Sequence, residues 1–432
     1  MLFELGLIIS VLGGIYVTKR TFDERVVLSP QLFVFAGILL YLYLPAIANE
    51  YDFIHNESFN FIVLCGALGC CVTALIFPFN VIDDVMPVLY EPKEKIFKYL
   101  TYLYIVFIVY EIIERIISAG SIIGVFVNNR VGELLGENLS AGVSPIRMLI
   151  FEGLKIITFF YIDLLFSKGK SKQAFLIFLI PMIHHMFTAT TRFDFVAMGG
   201  AMIIYLLNKK LYKINPRNIC IYNKNYKKKL NLGKIIIIAF VVSYAALFFM
   251  RYSNNIRHGS TELMEDLSYS SLLLDTFSTD SNYYEFFYDL YQEISSGRMS
   301  LEYGMTWFIA PIVNLIPRSI WPNKPYTSFS VRGTEGVYWD YTSGNPVCTF
   351  TIFGEGYGQL SFLGCFLAPI IFLGVRWITF RQAKKIKYNQ LFVIMILFTL
   401  LTYMRAEAPI FLTMIDAFWF VIIRKYFVNK VS

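Results

Sequence analysis

Charge is scarce in this sequence. Charged residues occupy only 16% of its 432 positions, against 56% apolar and 17% aromatic residues. So little polar surface excludes a soluble globular domain of this length. Cysteine and histidine are also few, at 6 and 4 residues. Of Cys65, Cys70, Cys71, Cys220, Cys348 and Cys365, only Cys348 falls in an expected external loop, so no disulfide framework is available. His184 and His185 are adjacent and point to different helix faces, and no pair of residues has metal-ligand spacing. A Gly-rich phosphate loop after a strand is missing, which argues against nucleotide chemistry. Internal repeats and low-complexity tracts are missing too, which argues against an inverted-repeat transporter.

What is present is a succession of long apolar runs. Windows of about 17–25 residues, the length that crosses a hydrocarbon core of roughly 30 Å, recur along nearly the whole chain. They are continuously apolar rather than alternating, so they predict helices and not a barrel. Spans are expected near 2–18, 31–48, 59–79, 98–118, 149–167, 173–190, 193–208, 234–250, 357–374, 390–404 and 408–424, about eleven in all. The first lacks a basic head and a cleavage site, and Lys19, Arg20 and Arg25 follow it, so it is read as a span with an external N-terminus rather than a signal peptide. The fold class expected is therefore an all-α polytopic integral membrane protein.

The distribution of basic residues tests this layout, because cytoplasmic connections collect Lys and Arg. The segment 209–234 holds many Lys and Arg residues and no carboxylate, and "SKGKSK" (167–172), "RQAKKIK" (381–387) and "RKYFVNK" (424–430) fall on the same side. The net charge of +7 thus reflects topology and contact with anionic headgroups of a lipid bilayer, not nucleic-acid binding.

Two outward connections are long, 119–147 and about 251–356. They divide the chain into helices 1–250 with the loop 119–147, a large external loop 251–356, and C-terminal helices 357–432. Within the large loop, "YGMTWFIAPIVNLIP" (303–317) is apolar enough to suggest a span, but a full crossing would put the following basic loop on the wrong side. Residues 303–330 are therefore expected to form a re-entrant or interfacial helix ending at Pro317, with Arg318 and Trp321 at headgroup level.

Arginines carry the strongest chemical signal. Arg130, Arg192, Arg251, Arg257, Arg318, Arg332 and Arg405 gather where outward helix ends meet water, the side on which the positive-inside bias selects against them. A guanidinium is permanently charged and offers a planar fork of donors suited to phosphate or diphosphate. The short turn "TATTRFDF" (188–195) directs Arg192 toward the bundle interior, where Asp194 could pair with it instead. "RYSNNIRHGS" (251–260) places His258 beside two cations, which would favour a neutral imidazole able to act as a base.

Taken together, the many spans, the large late outward loop, "IPRSIWPNKP" (316–325) and "TFTIFGEGYGQLSFLG" (349–364) resemble the Wzy-type oligosaccharide repeat-unit polymerases of bacterial O-antigen and related surface polysaccharides. The resemblance covers the chain in layout and these two motifs with the arginine-bearing turn in residues. It implies a GT-C-like glycosyltransferase of the bacterial inner membrane that works on the periplasmic side without metal or cofactor. Its substrates would be undecaprenyl-diphosphate-linked oligosaccharides, with a chain-length regulator as a further partner. Diphosphate binding would fall to Arg192, Arg251, Arg257, Arg318 and Arg332. Trp321, Lys324, Tyr338 and Trp339 would line the sugar path, and either His258 or Glu355 would serve as general base. Two rivals remain, an O-antigen ligase that transfers glycan to lipid A core and a lipid-linked oligosaccharide flippase. "NEYDF" (49–53) also offers Glu50 and Asp52, the kind of carboxylate pair used by metal-dependent lipid-sugar transferases.

Overall fold

The computed structural model describes residues 1–23, 29–49, 51–77, 89–122, 145–188, 198–206, 244, 248, 268, 271–272, 283–314, 316, 320–321, 329–337, 350–383, 385–387, 390–405 and 409–431. Helices dominate: α1 (Leu2–Asp23), α2 (Pro30–Asn49, with a π turn over Leu39–Tyr43), α3 (Glu57–Ile76), α4 (Glu94–Ala119), α5 (Pro145–Ser167), α6 (Ser171–Thr188) and α7 (198–206). After them come α8 (Tyr283–Ser295), α9 (305–314), α10 (Phe329–Val337), α11 (Thr351–Ala383), α12 (Gln390–Arg405) and α13 (Pro409–Ile422). Among the described residues five helices are long and apolar enough to cross a membrane: α1, α2, α3, α4 and α11.

Local chemistry sets the ends of these helices. α2 begins with Ser29 in an extended conformation and Pro30 at its first position, where the missing N–H costs nothing. α3 is capped by Asn56, whose side-chain oxygen accepts from the Phe59 N–H at 3.0 Å. α4 stops at Gly120, which adopts φ +71° and closes the last turn. With 20 residues, α3 is about 30 Å long, one hydrocarbon thickness.

α3 and the later part of α11 run side by side in the same direction. The ring of Phe61 lies 6.0 Å from Phe362, and Phe77 lies 5.9 Å from Trp377. Small residues permit the approach: a Cβ on Gly69 would come within 2.1 Å of the Phe366 carbonyl oxygen. Two ionisable groups inside the bundle meet partners on other helices. Arg376, fully buried on α11, donates to Asp416 on α13 at 2.6 Å. His184 on α6 pairs with Glu111 on α4 at 3.0 Å, in keeping with a polar role within the bundle.

The two ends of the bundle differ. At one end, the Leu2 N–H donates to Glu57, and the Asn56 side chain donates to the Tyr288 hydroxyl of α8. This Glu57 end therefore gathers the start of α1, the α2–α3 connection and α8. The opposite, basic end brings together Lys93, Lys168, Lys387 and Arg424. Lys168 pairs with Glu94, Lys387 with Glu91 at 3.1 Å, and Arg424 donates to Gln382 at 2.9 Å. Of the expected basic segments, 167–172, 381–387 and 424–430 have described residues that share this end, while 209–234 lies outside the described residues.

The basic end also holds an element the sequence did not announce. Strand β1 (Leu89–Pro92) pairs antiparallel with β2 (Val428–Val431), in register Tyr90 to Lys430. Tyr90 bonds in turn to the 385–387 turn, donating to the Lys385 carbonyl at 2.9 Å and accepting from the Lys387 N–H at 2.7 Å. Nearby, Asp163 at the end of α5 accepts from the backbone N–H of Gln390 at 2.7 Å and so caps α12 from another helix.

α11 departs from the expected single span beginning near 357. Leu360 (φ −138°) and Ser361 (φ +57°) break it into a half-helix, 351–359, and the span proper, 362–383. The chain reverses there, since an added Cβ on Gly356 would meet the Gly364 carbonyl oxygen at 2.5 Å. In a straight helix those residues would be about 12 Å apart. Glycine at both positions removes the side chains that would hold the two arms apart. Within the expected re-entrant or interfacial element 303–330, the described residues form α9, which at about 15 Å is too short to cross a membrane.

Candidate functional site

The half-helix 351–359 organises the Glu57 end. Its last carbonyls, on Gly358 and Gln359, accept from the backbone N–H groups of Glu302 and Tyr303 at 2.9 Å each, so the segment before α9 serves as its C-terminal cap. Its sides are packed by α10: Phe329 stacks edge-on against Phe350 at 5.6 Å, and a Cβ on Gly358 would fall within 2.1 Å of the Phe329 ring.

Beside that cap lies a closed polar cluster. Arg332 on α10 donates through Nε and Nη2 to the two oxygens of Glu302, each at 2.7 Å, and through Nη2 to the Thr306 hydroxyl at 2.7 Å. Gln359 donates to Glu302 at 2.6 Å and to Thr306 at 3.1 Å, and its oxygen accepts from the Thr306 N–H at 3.2 Å. Thr306 donates back to Glu302 at 2.8 Å. Burial pushes the Glu302 carboxyl up, but the hydrogen bonds from Arg332 and Gln359 and the charge of Arg332 outweigh it and hold the group below the usual carboxylate range.

Backbone strain converges on the same segment. Among the described residues, the non-glycine residues at positive φ are Tyr303 (52°), Thr351 (61°) and Ser361 (57°). Thr351 opens the half-helix, Ser361 follows it, and Tyr303 caps it. Such conformations cost about 1–3 kcal/mol each and concentrate where geometry serves a function. The half-helix carries Glu355, which is 3% exposed.

Of the residues expected to act, Glu355 lies on the half-helix and Arg332 on α10, whose Gly333 lies against the ring of Phe350. Arg332 is engaged with Glu302, a residue the sequence did not single out. Trp321 is 41% exposed beside Ile320, which is 75% exposed. Arg192, Arg251, Arg257, His258, Arg318, Lys324, Tyr338 and Trp339 lie outside the described residues, as does Glu50. Among the described residues no group of three or more His, Cys, Asp or Glu side chains is placed to hold a metal ion. Cys65, Cys70, Cys71 and Cys365 are free thiols.

Comparison of the chain with family models, curated proteins and solved structures found no match. The molecule is thus defined by its own architecture, a predominantly helical chain with several helices fit to span a bilayer and a strained, polar half-helix at one end.

Proposed function

We propose that this chain is a GT-C-like glycosyltransferase with about eleven spans that polymerises oligosaccharide repeat units carried on undecaprenyl diphosphate, at the outer face of a bacterial inner membrane. The observation that carries the reading is the strained half-helix 351–359. It is built from the "FGEGYG" motif that underlies the resemblance to Wzy-type polymerases, it holds the buried Glu355, and it sits at the end of the bundle opposite the basic turns. A carboxylate held there by packing is pre-organised to take a proton from an acceptor hydroxyl.

In the reaction, a hydroxyl of the lipid-linked acceptor unit attacks the anomeric carbon of the donor glycan. A new glycosidic C–O bond forms, the bond from that carbon to diphosphate breaks, and the hydroxyl proton passes to Glu355 or His258. Undecaprenyl diphosphate leaves with the bonding electron pair. Arg192, Arg251, Arg257 and Arg318 hold the diphosphate and offset the charge that grows on it, while Trp321, Lys324, Tyr338 and Trp339 guide the sugars. Arg332 acts with them through the Glu302 cluster.

The test is reconstitution of the purified protein in liposomes with lipid-linked repeat units. The expected product is a ladder of lengthening glycans, lost in an Arg192→Ala, Arg257→Ala, Arg318→Ala triple variant that still folds. A single product joined to lipid A core would identify a ligase, and movement of the lipid across the bilayer without bond formation a flippase; either outcome overturns the reading.

A further inference from the structure

The Glu57 end holds a concavity, separate from the Glu302 cluster, of about 350 Å³ and lined by Ala46, Ile47, Tyr51, Asp52, Ile54 and His55. This volume lies at the lower end of the range, roughly 300–1,000 Å³, in which proteins hold small ligands. Asp52 and His55 are the first and last residues of a 3-10 turn, Asp52–His55. In a 3-10 turn, side chains three apart eclipse one another, so the carboxylate and the imidazole project to the same side. Both are exposed.

The turn is held in place by the large loop. The Phe53 ring stacks on Tyr288 of α8 at 4.1 Å and 5° between planes, and on Tyr51 at 4.7 Å and 18°. Tyr51 donates its hydroxyl to Glu285 at 3.2 Å, and the Asn60 side chain donates to the Ile54 carbonyl at 2.8 Å. Burial and the neighbouring Glu285 push the Tyr51 hydroxyl well up, so it stays a neutral donor. A wall fixed in this way loses little freedom when a ligand arrives.

Chemistry narrows the ligand. A carboxylate with a second carboxylate, Glu285, behind the wall disfavours an anion. Asp52 and His55 alone do not make a metal site, and an exposed charge on the rim disfavours a purely apolar guest. What fits is a neutral ring with hydroxyls on its edge and C–H groups on its face. Hydroxyls would donate to Asp52 and exchange hydrogen bonds with His55, while the apolar face rests on Tyr51 and Ile54.

We infer that this concavity is a saccharide subsite, in which Asp52 and His55 grip the hydroxyls of one neutral sugar of the glycan. The identity of the ligand as part of a glycan rests on the function proposed above. The subsite stands at the Tyr51 end of α8, and the Glu302 cluster follows its other end. One helix of 13 residues, roughly 20 Å, spans the interval.

Saturation-transfer NMR on the full-length protein in detergent micelles tests this, with the methyl glycosides of a hexose, an N-acetylhexosamine and a hexuronic acid as probes. At least one of the two neutral glycosides should receive saturation from the wild-type protein. Its binding should weaken about tenfold in Asp52→Asn and in His55→Gln, the size expected for one lost hydrogen bond to a charged group, while the melting temperature stays unchanged. Silence of both neutral probes, undiminished binding in both variants, or binding of the hexuronate alone would each overturn the assignment. The polymerisation assay is run beside it. A ladder without glycoside binding removes this subsite and leaves the proposed function standing; glycoside binding without a ladder does the reverse.

Discussion

Arg332 and Glu302 lie 30 positions apart in sequence and are joined by two hydrogen bonds of 2.7 Å, through Nε to one carboxylate oxygen and through Nη2 to the other. Their side chains are 21% and 13% exposed, so water screens the pair only partly. The fork ties α10 to the segment that caps the half-helix 351–359, and Gln359 closes the loop by donating to the same carboxylate.

Removing either partner therefore strands a partly buried charge. Arg332→Ala and Glu302→Ala should each lower stability by about 2–4 kcal/mol. Thermal unfolding in detergent should also show that the double variant loses clearly less than the two single losses added, because both remove the same interaction.

The pair also makes stability depend on acidity. The folded-state pKa of Glu302 lies below its ordinary value, so the stabilisation is fully present above that ordinary value, about 4.3, and is lost as pH falls through the lower folded value. The gap in melting temperature between wild type and Glu302→Gln should hold steady from pH 8 to about 5 and narrow as the pH drops below about 4. A gap that widened in acid would refute this account.

At the chain reversal, a Cβ on Gly356 would lie 2.5 Å from a backbone oxygen, whereas on Gly199, in α7, the nearest side-chain atom would be 3.9 Å away. Gly356→Ala should cost about 2 kcal/mol or more through forced backbone displacement. Gly199→Ala should be neutral or stabilise by up to about 1 kcal/mol. Parallel melting curves of the two variants decide the matter; equal effects would show that the arms have room to part.

The cap that α5 supplies to α12 gives another measurable loss. Asp163 accepts from Gln390 at 2.7 Å and is buried. Asp163→Ala leaves that N–H unmet and should destabilise by about 1–3 kcal/mol, with faster hydrogen exchange at the start of α12 than in the wild type.

Long apolar runs made the spans legible. The expected stretches 2–18, 31–48, 59–79 and 98–118 correspond to α1, α2, α3 and α4, because a bilayer-length run of apolar residues leaves the backbone no choice but internal hydrogen bonding. The break at Leu360 and Ser361 was not legible, since neither residue type marks a reversal; the glycines at 356 and 364 hint at close approach only once the fold is known. β1 and β2 escaped notice because "LYEP" and "VNKV" are four residues each and draw their stability from pairing across the molecule. Glu355 and Arg332 could be singled out by motif and charge, but Glu302, Thr306 and Gln359 could not. Their importance comes from meeting in space.

The β1–β2 ribbon bears on biogenesis. Its neighbours Lys93 and Tyr426, which bond across it at 3.2 Å, stand 333 positions apart. At roughly 5–20 residues per second, the ribosome delivers the second strand tens of seconds after the first. Throughout that interval the first strand lacks the partner strand with which it pairs. Closure of the ribbon therefore awaits synthesis of the chain through α13.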